Sequence, residues 1–511
     1  MPYSNTNNRK YILIIWLFVC IALILNIIEM WQPLVQIDDA YISYRYALNL
    51  VDGHGLVFNK GEYVEGYTNL LWTLLVALGV YSGLSAPEAG HILMIASSVF
   101  MLLSTFLLVR AILPEKHQGL AVLAPFAVLA NNAFASWSVS GLETVLFSGL
   151  VALALFFHIR EKMLCTALVC ILAAMTRPEG ALLAGVLLGG NWLIAIYNQK
   201  RFNGKDILRL SMPCLLFAVY LIMHTTFRYY YYNDVVPNTF YAKVGGLPAS
   251  LGFYYVYNFL IDGPGLLVIP FLLACVVDKK MRLMGVYVLF TISYVIMIGG
   301  DAFKLGRFLL PLLPILIAGT LVCSAYFLER RKWLGTLIAA LVVCSGLLSL
   351  YGPWGEGADF VNSGNEAWPA SDKRINAKNH SFFAGSDEVF IALIENIRLS
   401  SPQVNKVAAI GIGKLSYLLM DKSILDLVGL TNKEVAKSSR VVSGTFLVPG
   451  HQRTNADYIF SQEPDIIWIP RKGQKLLFVL PAVKELLESN KLEDLYYWDE
   501  TVEVYRRKQL N

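Results

Sequence analysis

The chain has 511 residues, 56% of them hydrophobic and 15% charged, with a net charge of +5. A soluble globular protein carries about a quarter charged residues, so this composition excludes a water-soluble enzyme. A small positive balance spread over loops gives no sign of nucleic-acid binding.

The sequence opens with Arg9 and Lys10 ahead of an apolar run over 11–30. That run has no small-residue cleavage site and further spans follow, so it reads as an uncleaved helix. The two cations place the N-terminus in the cytoplasm and the loop 31–67 outside. Further apolar runs predict spans over 68–84, 91–113, 119–135, 142–160, 164–175 with 179–197, 208–228, 252–276, 282–299, 307–328 and 333–350. Several reach the roughly 20 residues that cross a bilayer as a helix. The expectation is mainly α: a polytopic helical membrane module over 1–350 with about eleven spans.

After residue 350 the composition turns polar and no span-length run follows. Short apolar runs bounded by turn residues predict buried strands over 406–412 and 465–469. A helix is expected over 482–489, with its apolar residues on one face. Residues 351–511 therefore read as a small soluble α/β domain. The seven cysteines fall in or beside apolar segments, at spacings that fit no metal or redox motif.

The loop 31–67 carries Asp38-Asp39-Ala40-Tyr41-Ile42-Ser43-Tyr44-Arg45-Tyr46 directly after the first apolar run. Adjacent carboxylates at a membrane surface repel each other and resist desolvation. A metal ion, a cationic partner or a chemical task must offset that. Helix capping explains one aspartate well and two poorly. Asp38 and Asp39 are therefore the candidate catalytic pair. One would be a general base on an acceptor hydroxyl, the other a ligand for a divalent cation such as Mg²⁺ or Mn²⁺ or an orienter of the acceptor. Residues 41–50 have helical periodicity with Tyr and Arg on the outer face, as an interfacial amphipathic helix would. Tyr41 and Arg45 are candidates for binding substrate, as are Glu65 and Asn69 on the far rim of the loop. His54, between Gly53 and Gly55, reads as a structural or surface histidine.

Four more polar islands interrupt the apolar pattern. Glu143 opens the span after Gly141-Leu142, where it also suits the helix dipole. Arg177-Pro178-Glu179 breaks a span: Pro178 ends the helix, Arg177 and Glu179 can pair, and a guanidinium fork also matches phosphate oxygens. Tyrosines 229–232 suit the headgroup level, and Asn238 and Lys243 follow in the same loop. Asp301, Lys304 and Arg307 lie in the last island. Arg177, Lys243 and Arg307 are the candidate donor-phosphate cations; Glu143, Asn238 and Asp301 are candidates for other substrate contacts. Neither a Walker loop, a Gly-x-Ser-x-Gly elbow nor a His-Glu-x-x-His motif occurs. An activated substrate therefore arrives in the membrane, and a donor joined to a lipid phosphate fits.

With these motifs the chain resembles the GT-C membrane glycosyltransferases, which use polyprenyl-phosphate sugars. Within them it is most similar to the arabinofuranosyltransferases of mycobacterial cell-wall assembly and pilin glycosylation. The resemblance rests on the 38–46 motif, Asp52-Gly53-His54-Gly55-Leu56-Val57-Phe58-Asn59, Val64-Glu65-Gly66-Tyr67-Thr68-Asn69, Gly141-Leu142-Glu143-Thr144, Arg177-Pro178-Glu179-Gly180, Pro237-Asn238-Thr239 and Gly299-Gly300-Asp301. Asp426-Leu427-Val428-Gly429-Leu430-Thr431 and Pro449-Gly450-His451 extend it into the C-terminal part. It implies catalytic carboxylates in the first external loop, at Asp38 and Asp39. It also implies a bacterial inner-membrane enzyme with a periplasmic C-terminal domain. The expected activity is transfer of D-arabinofuranose from polyprenyl phosphate to a hydroxyl of a glycan or protein acceptor. The alternatives are another polyprenyl-linked sugar, a lipid or sugar transporter whose charges pair across inverted repeats, and a scaffold in envelope assembly.

Overall fold

The computed structural model describes residues 36–198, 204–243, 249–301, 303, 305–351, 394–395, 397–398, 403–438, 450–473 and 480–508. The expected span over 11–30, its flanking Arg9 and Lys10, and Lys304 lie outside the described residues.

The helices that matter here are α1 (Asp38–Val51), α2 (Leu70–Tyr81), α3 (Ala86–Ile112), α4 (Thr144–Ile159), α5 (Met163–Thr176), α6 (Gly180–Asn198), α7 (Gly204–Tyr232), α8 (Asn238–Lys243), α9 (Ala249–Ile261), α10 (Gly265–Val277), α11 (Lys279–Met297), α12 (Leu310–Leu328) and α13 (Lys332–Tyr351). The sequence explains several of their limits. Ser85 and Glu88 form a reciprocal capping box that starts α3, and Leu113-Pro114 stops it. Pro178 prevents α5 from running on into α6.

Among the described residues, six helices are long and apolar enough to cross a bilayer: α3, α6, α7, α11, α12 and α13. The number is seven if the bent pair α9 and α10 counts as one span. The chain is thus a multi-pass membrane protein; of the about eleven spans expected, 11–30 lies outside the described residues, and the described residues hold fewer full-length spans than the remainder. Within the described residues the shortfall has local causes. Helices α2, α4 and α5 are apolar but short. Helices α9 and α10 meet at 93°, across Gly263 with its positive φ and Pro264. The expected span over 119–135 is a 3-10 turn (Glu115–Val122) followed by two short helices, Leu123–Leu129 and Asn132–Trp137.

Beyond the helices lies a five-stranded sheet of β1 (Lys406–Ala409), β2 (Ser423–Asp426), β3 (Ile466–Trp468), β4 (Tyr496–Asp499) and β5 (Val504–Arg507), in the order β2-β1-β3-β5-β4. β1 pairs in parallel with β2 and β3, and β5 runs antiparallel to β3 and β4. β1 and β3 fall inside the expected strands, and a helix over Pro481–Glu488 matches the expected one. The mainly helical architecture with a small α/β part therefore stands. The other three strands have four residues each, too few to show a two-residue period.

Helix α1 lies between the helical bundle and the sheet. Its Tyr41, Tyr44 and Ala47 pack into the bundle core, while Ile42 and Tyr46 join a second core containing Leu56, Phe58, Tyr232, Val407, Leu415 and Ile424. Tyr41, Tyr44, Arg45 and Tyr46 are all buried. This corrects the interfacial reading of 41–50: the polar face of α1 is covered by the C-terminal part, not by lipid headgroups. The tyrosine cluster divides likewise. Tyr229 and Tyr230 are exposed, whereas the Tyr232 hydroxyl donates to the Leu56 carbonyl at 2.8 Å.

Candidate functional site

A cavity of about 400 Å³ opens between α1, α5, α7, α8 and the segment leading into α12. Asp39, Asn69, Glu143, Arg177, Lys243 and Arg307 all line it. Residues from five separate polar islands, spread over nearly 270 positions of sequence, thus converge on one space. Glu179, Tyr220, His224, Arg228 and Leu430 complete its wall.

One corner is closed by ion pairs. Arg177 Nη1 donates to Glu143 Oε1 at 3.0 Å and Nη2 to Glu179 Oε1 at 3.0 Å, and all three side chains are nearly buried. Asn69 Nδ2 donates to the other Glu143 oxygen at 2.9 Å. The Arg177 guanidinium also lies over the Phe308 ring at 4.7 Å. The pairing expected of Arg177 and Glu179 is present at the break in the helix, and Arg177 also lines the cavity. Across the cavity Arg228 Nε donates to both Glu65 oxygens, at 2.8 and 3.0 Å. Glu65 stands behind that arginine; burial raises its pKa above the usual carboxylate range and Arg228 pulls it back.

The opposite edge is open. Arg307 is held by Asp301, with Nη2 donating to Oδ1 at 2.8 Å and Nε 2.7 Å from Oδ2. It stacks on Phe303 at 4.9 Å and Phe308 at 5.3 Å, so Phe308 sits against two guanidinium groups. Asp39 reaches Arg307 only at 4.0 Å, and 37% of its side chain is open to the cavity. Lys243 forms no ion pair among the described residues. It lines the cavity, where desolvation by the surrounding protein lowers its pKa and the Arg307 charge adds to that. The cavity and its immediate backing hold four cations, Arg177, Arg228, Lys243 and Arg307, against five carboxylates, Asp39, Glu65, Glu143, Glu179 and Asp301. All but Asp39 and Lys243 are tied into close pairs.

The remaining candidates sit elsewhere. Asp38 turns away from the cavity towards the C-terminal part, where its Oδ2 accepts from the Gly413 amide at 2.9 Å and its Oδ1 from the Lys414 amide at 2.8 Å. Burial raises its pKa and the two amides oppose the rise. Tyr41 packs edge-on against Tyr44 and Tyr417. Arg45 donates to the carbonyls of Phe58 (2.7 Å), Leu419 (3.2 Å), Lys422 (2.7 Å) and Ser416, which makes it a clasp between loop and sheet. Asn238 donates to the carbonyls of Gly429 at 2.8 Å and Leu430 at 3.0 Å. Asp301 lies behind Arg307, and His54 is exposed.

The carboxylate pair does not suit a shared divalent cation. Asp38 has given both oxygens to amides, Asp39 faces Arg307, and among the described residues no group of three or more His, Cys, Asp or Glu comes together. Sequence reasoning missed Arg228, which falls at the end of an apolar span just before the tyrosines. A cation in such a span is the signal that marks it, and His224, one turn earlier on the same face of α7, carries the same signal. Tyr220, two turns earlier, gives none.

No family model matches the chain. A terminal beta-(1->2)-arabinofuranosyltransferase of Mycobacterium tuberculosis (strain ATCC 25618 / H37Rv) is 29% identical over 280 residues, 51% of this chain. The alignment spans 43% of that relative, less than half its length. The similarity bears out the resemblance drawn from the motifs. Among solved structures, ArnT from Cupriavidus metallidurans in the apo state overlays with a TM-score of 0.49 at 11% identity, covering 86% of this chain and 90% of that one. ArnT bound to undecaprenyl phosphate gives 0.45 at 14% identity, with 82% and 77% covered.

Proposed function

We propose that this chain is a GT-C type membrane glycosyltransferase. It moves a sugar, D-arabinofuranose, from a polyprenyl phosphate to a hydroxyl of a glycan or protein acceptor. The observation that carries the reading is the edge of the cavity. Asp39 and Lys243, the charged groups of the cavity without a close partner among the described residues, face one space with Arg307 near both. The motif set and the similarity to an arabinofuranosyltransferase support the class and point to the sugar.

The chemistry follows from where Asp39 and Lys243, the loosely held charges of the cavity among the described residues, lie. Asp39 accepts the proton of the acceptor hydroxyl as that oxygen attacks the anomeric carbon. The new C–O bond forms as the bond from that carbon to the phosphate oxygen breaks. The bonding electrons leave with the polyprenyl phosphate. Lys243 and Arg307 are preorganised for the charge that grows on it, the kind of electrostatic stabilisation that carries much of the rate in such transfers. Arg177, already shared between two carboxylates, shapes the wall and adds little attraction for phosphate. Asp38 and Asp39 face different ways, so they do not share one metal ion.

In this reading residues 1–350 are the catalytic membrane module and 351–511 a periplasmic domain. The N-terminus is cytoplasmic in a bacterial inner membrane.

The test is transfer by the purified protein from synthetic polyprenyl-phosphate arabinofuranose to added acceptors, wild type beside Asp39→Asn. Transfer by wild type that is lost in a folded Asp39→Asn protein supports enzyme and site together. Turnover of a different polyprenyl-phosphate sugar keeps the class and changes the sugar. Movement of the donor across reconstituted vesicles with no glycosidic product sinks the reading in favour of a transporter.

A further inference from the structure

We propose that Asp38 is a positioning residue, through which the C-terminal part aligns the edge of the cavity that bears Asp39. The contact between Asp38 and the C-terminal part stands by itself; what it positions rests on the reading of Asp39 given above.

Consecutive residues of a helix point about 100° apart. Asp38 and Asp39 share the first turn of α1, so fixing one direction fixes the other. Asp38 is fixed by two amides contributed from 375 and 376 residues away. The fit leaves no slack: a Cβ on Gly413 would overlap the Asp38 carbonyl oxygen. Arg45, two turns further along α1, clasps three carbonyls of the same C-terminal segment, those of Ser416, Leu419 and Lys422. The same part of the chain also reaches the opposite edge. Asn238, which opens α8, donates to the carbonyls of Gly429 and Leu430, and Leu430 itself lines the cavity. Gly450 packs on the Lys243 stem, where a Cβ would come within 3.3 Å of Cγ. The C-terminal part therefore holds both the helix that bears Asp39 and the short helix that bears Lys243.

The experiment uses the full chain in lipid nanodiscs and compares wild type, Gly413→Ala and Asp38→Asn. It measures kcat and donor KM for the synthetic donor, and amide hydrogen exchange over 411–418 and over the sheet. Misplacing a reacting group by about 1 Å costs on the order of 10²-fold in rate. Both variants are expected to lose about that in kcat, with donor KM within about threefold and exchange over 411–418 accelerated. The strands stay protected if the domain remains folded. Wild-type kcat in Gly413→Ala overturns the proposal. So does loss of transfer in Asp38→Asn with exchange over 411–418 unchanged, since Asp38 then acts in the chemistry. If Gly413→Ala loses protection across the whole sheet, Asp38→Asn alone decides. A wild type inert on every donor, with exchange over 411–418 accelerated in the variants, sinks the proposed function and the positioning role with it, while the contact between Asp38 and Gly413 survives.

Discussion

The two sides of the cavity use the same kinds of residue in opposite ways. Around Arg177 every charge is spent: one guanidinium serves Glu143 and Glu179, and Asn69 takes up the spare Glu143 oxygen. Around Asp39 charge is held in reserve. Arg307 is steadied by Asp301 and by aromatic rings, but Asp39 stops 4.0 Å short of it, and Lys243 has no carboxylate partner among the described residues. Residue type alone does not separate structure from chemistry here. The state of pairing does, because a buried charge that is fully paired has little left to offer a substrate.

The sharpest way to break this comparison is Asp39→Asn. Removing a general base costs about 10²–10⁴ in rate, so transfer should fall by that much while donor binding persists. Activity within tenfold of wild type would remove Asp39 from the chemistry. Arg177→Ala tests the other side. It leaves two buried carboxylates without their cation, which costs on the order of 3–5 kcal/mol, read as a large fall in Tm. An unchanged Tm with weakened donor binding would instead make Arg177 a phosphate ligand and erase the contrast between the two sides. Lys243→Gln should do the reverse: Tm stays, and donor KM rises about tenfold, since a charge-assisted hydrogen bond is worth about 1.5–3 kcal/mol. A fall in Tm with unchanged KM would place Lys243 among the structural charges. The smallest effect is expected for His54→Ala. This exposed residue touches neither side, and such changes fall within about 0.5 kcal/mol. A larger effect on transfer would extend the site beyond the cavity.

The C-terminal part shows a second contrast. Its sheet is built from short strands, yet its loops make the specific contacts. Asp426 accepts from the amides of Val428 at 2.9 Å and Thr431 at 2.8 Å, which folds 426–431 into a tight turn. That turn presents the Gly429 and Leu430 carbonyls to Asn238. Burial raises the Asp426 pKa to about 6 against the pull of those amides. The Asp426 motif is part of the resemblance, and its role in the structure is to hold α8 in place.

Read alone, the sequence was enough for the membrane character, the change of composition after residue 350 and the places where polar residues interrupt apolar ones. These are properties of single segments: hydropathy and periodicity act over tens of residues and need no partner. It also brought out Asp39, Glu143, Arg177, Lys243 and Arg307, because each sits at the end of a span, where an ionisable group demands an explanation. It did not yield the number of full-length spans, since short and bent apolar helices have the composition of long ones. Only the tertiary structure separated Asp38 from Asp39, revealed the clasps that Arg45 and Asn238 make to the C-terminal part, brought Arg228 into view and paired it with Glu65. Which way a carboxylate faces, and whether a distant amide or arginine meets it, depends on contacts across hundreds of residues. Asp38 meets Gly413 only once α1 and the C-terminal part have packed around a shared core, and no local pattern in the sequence carries that information.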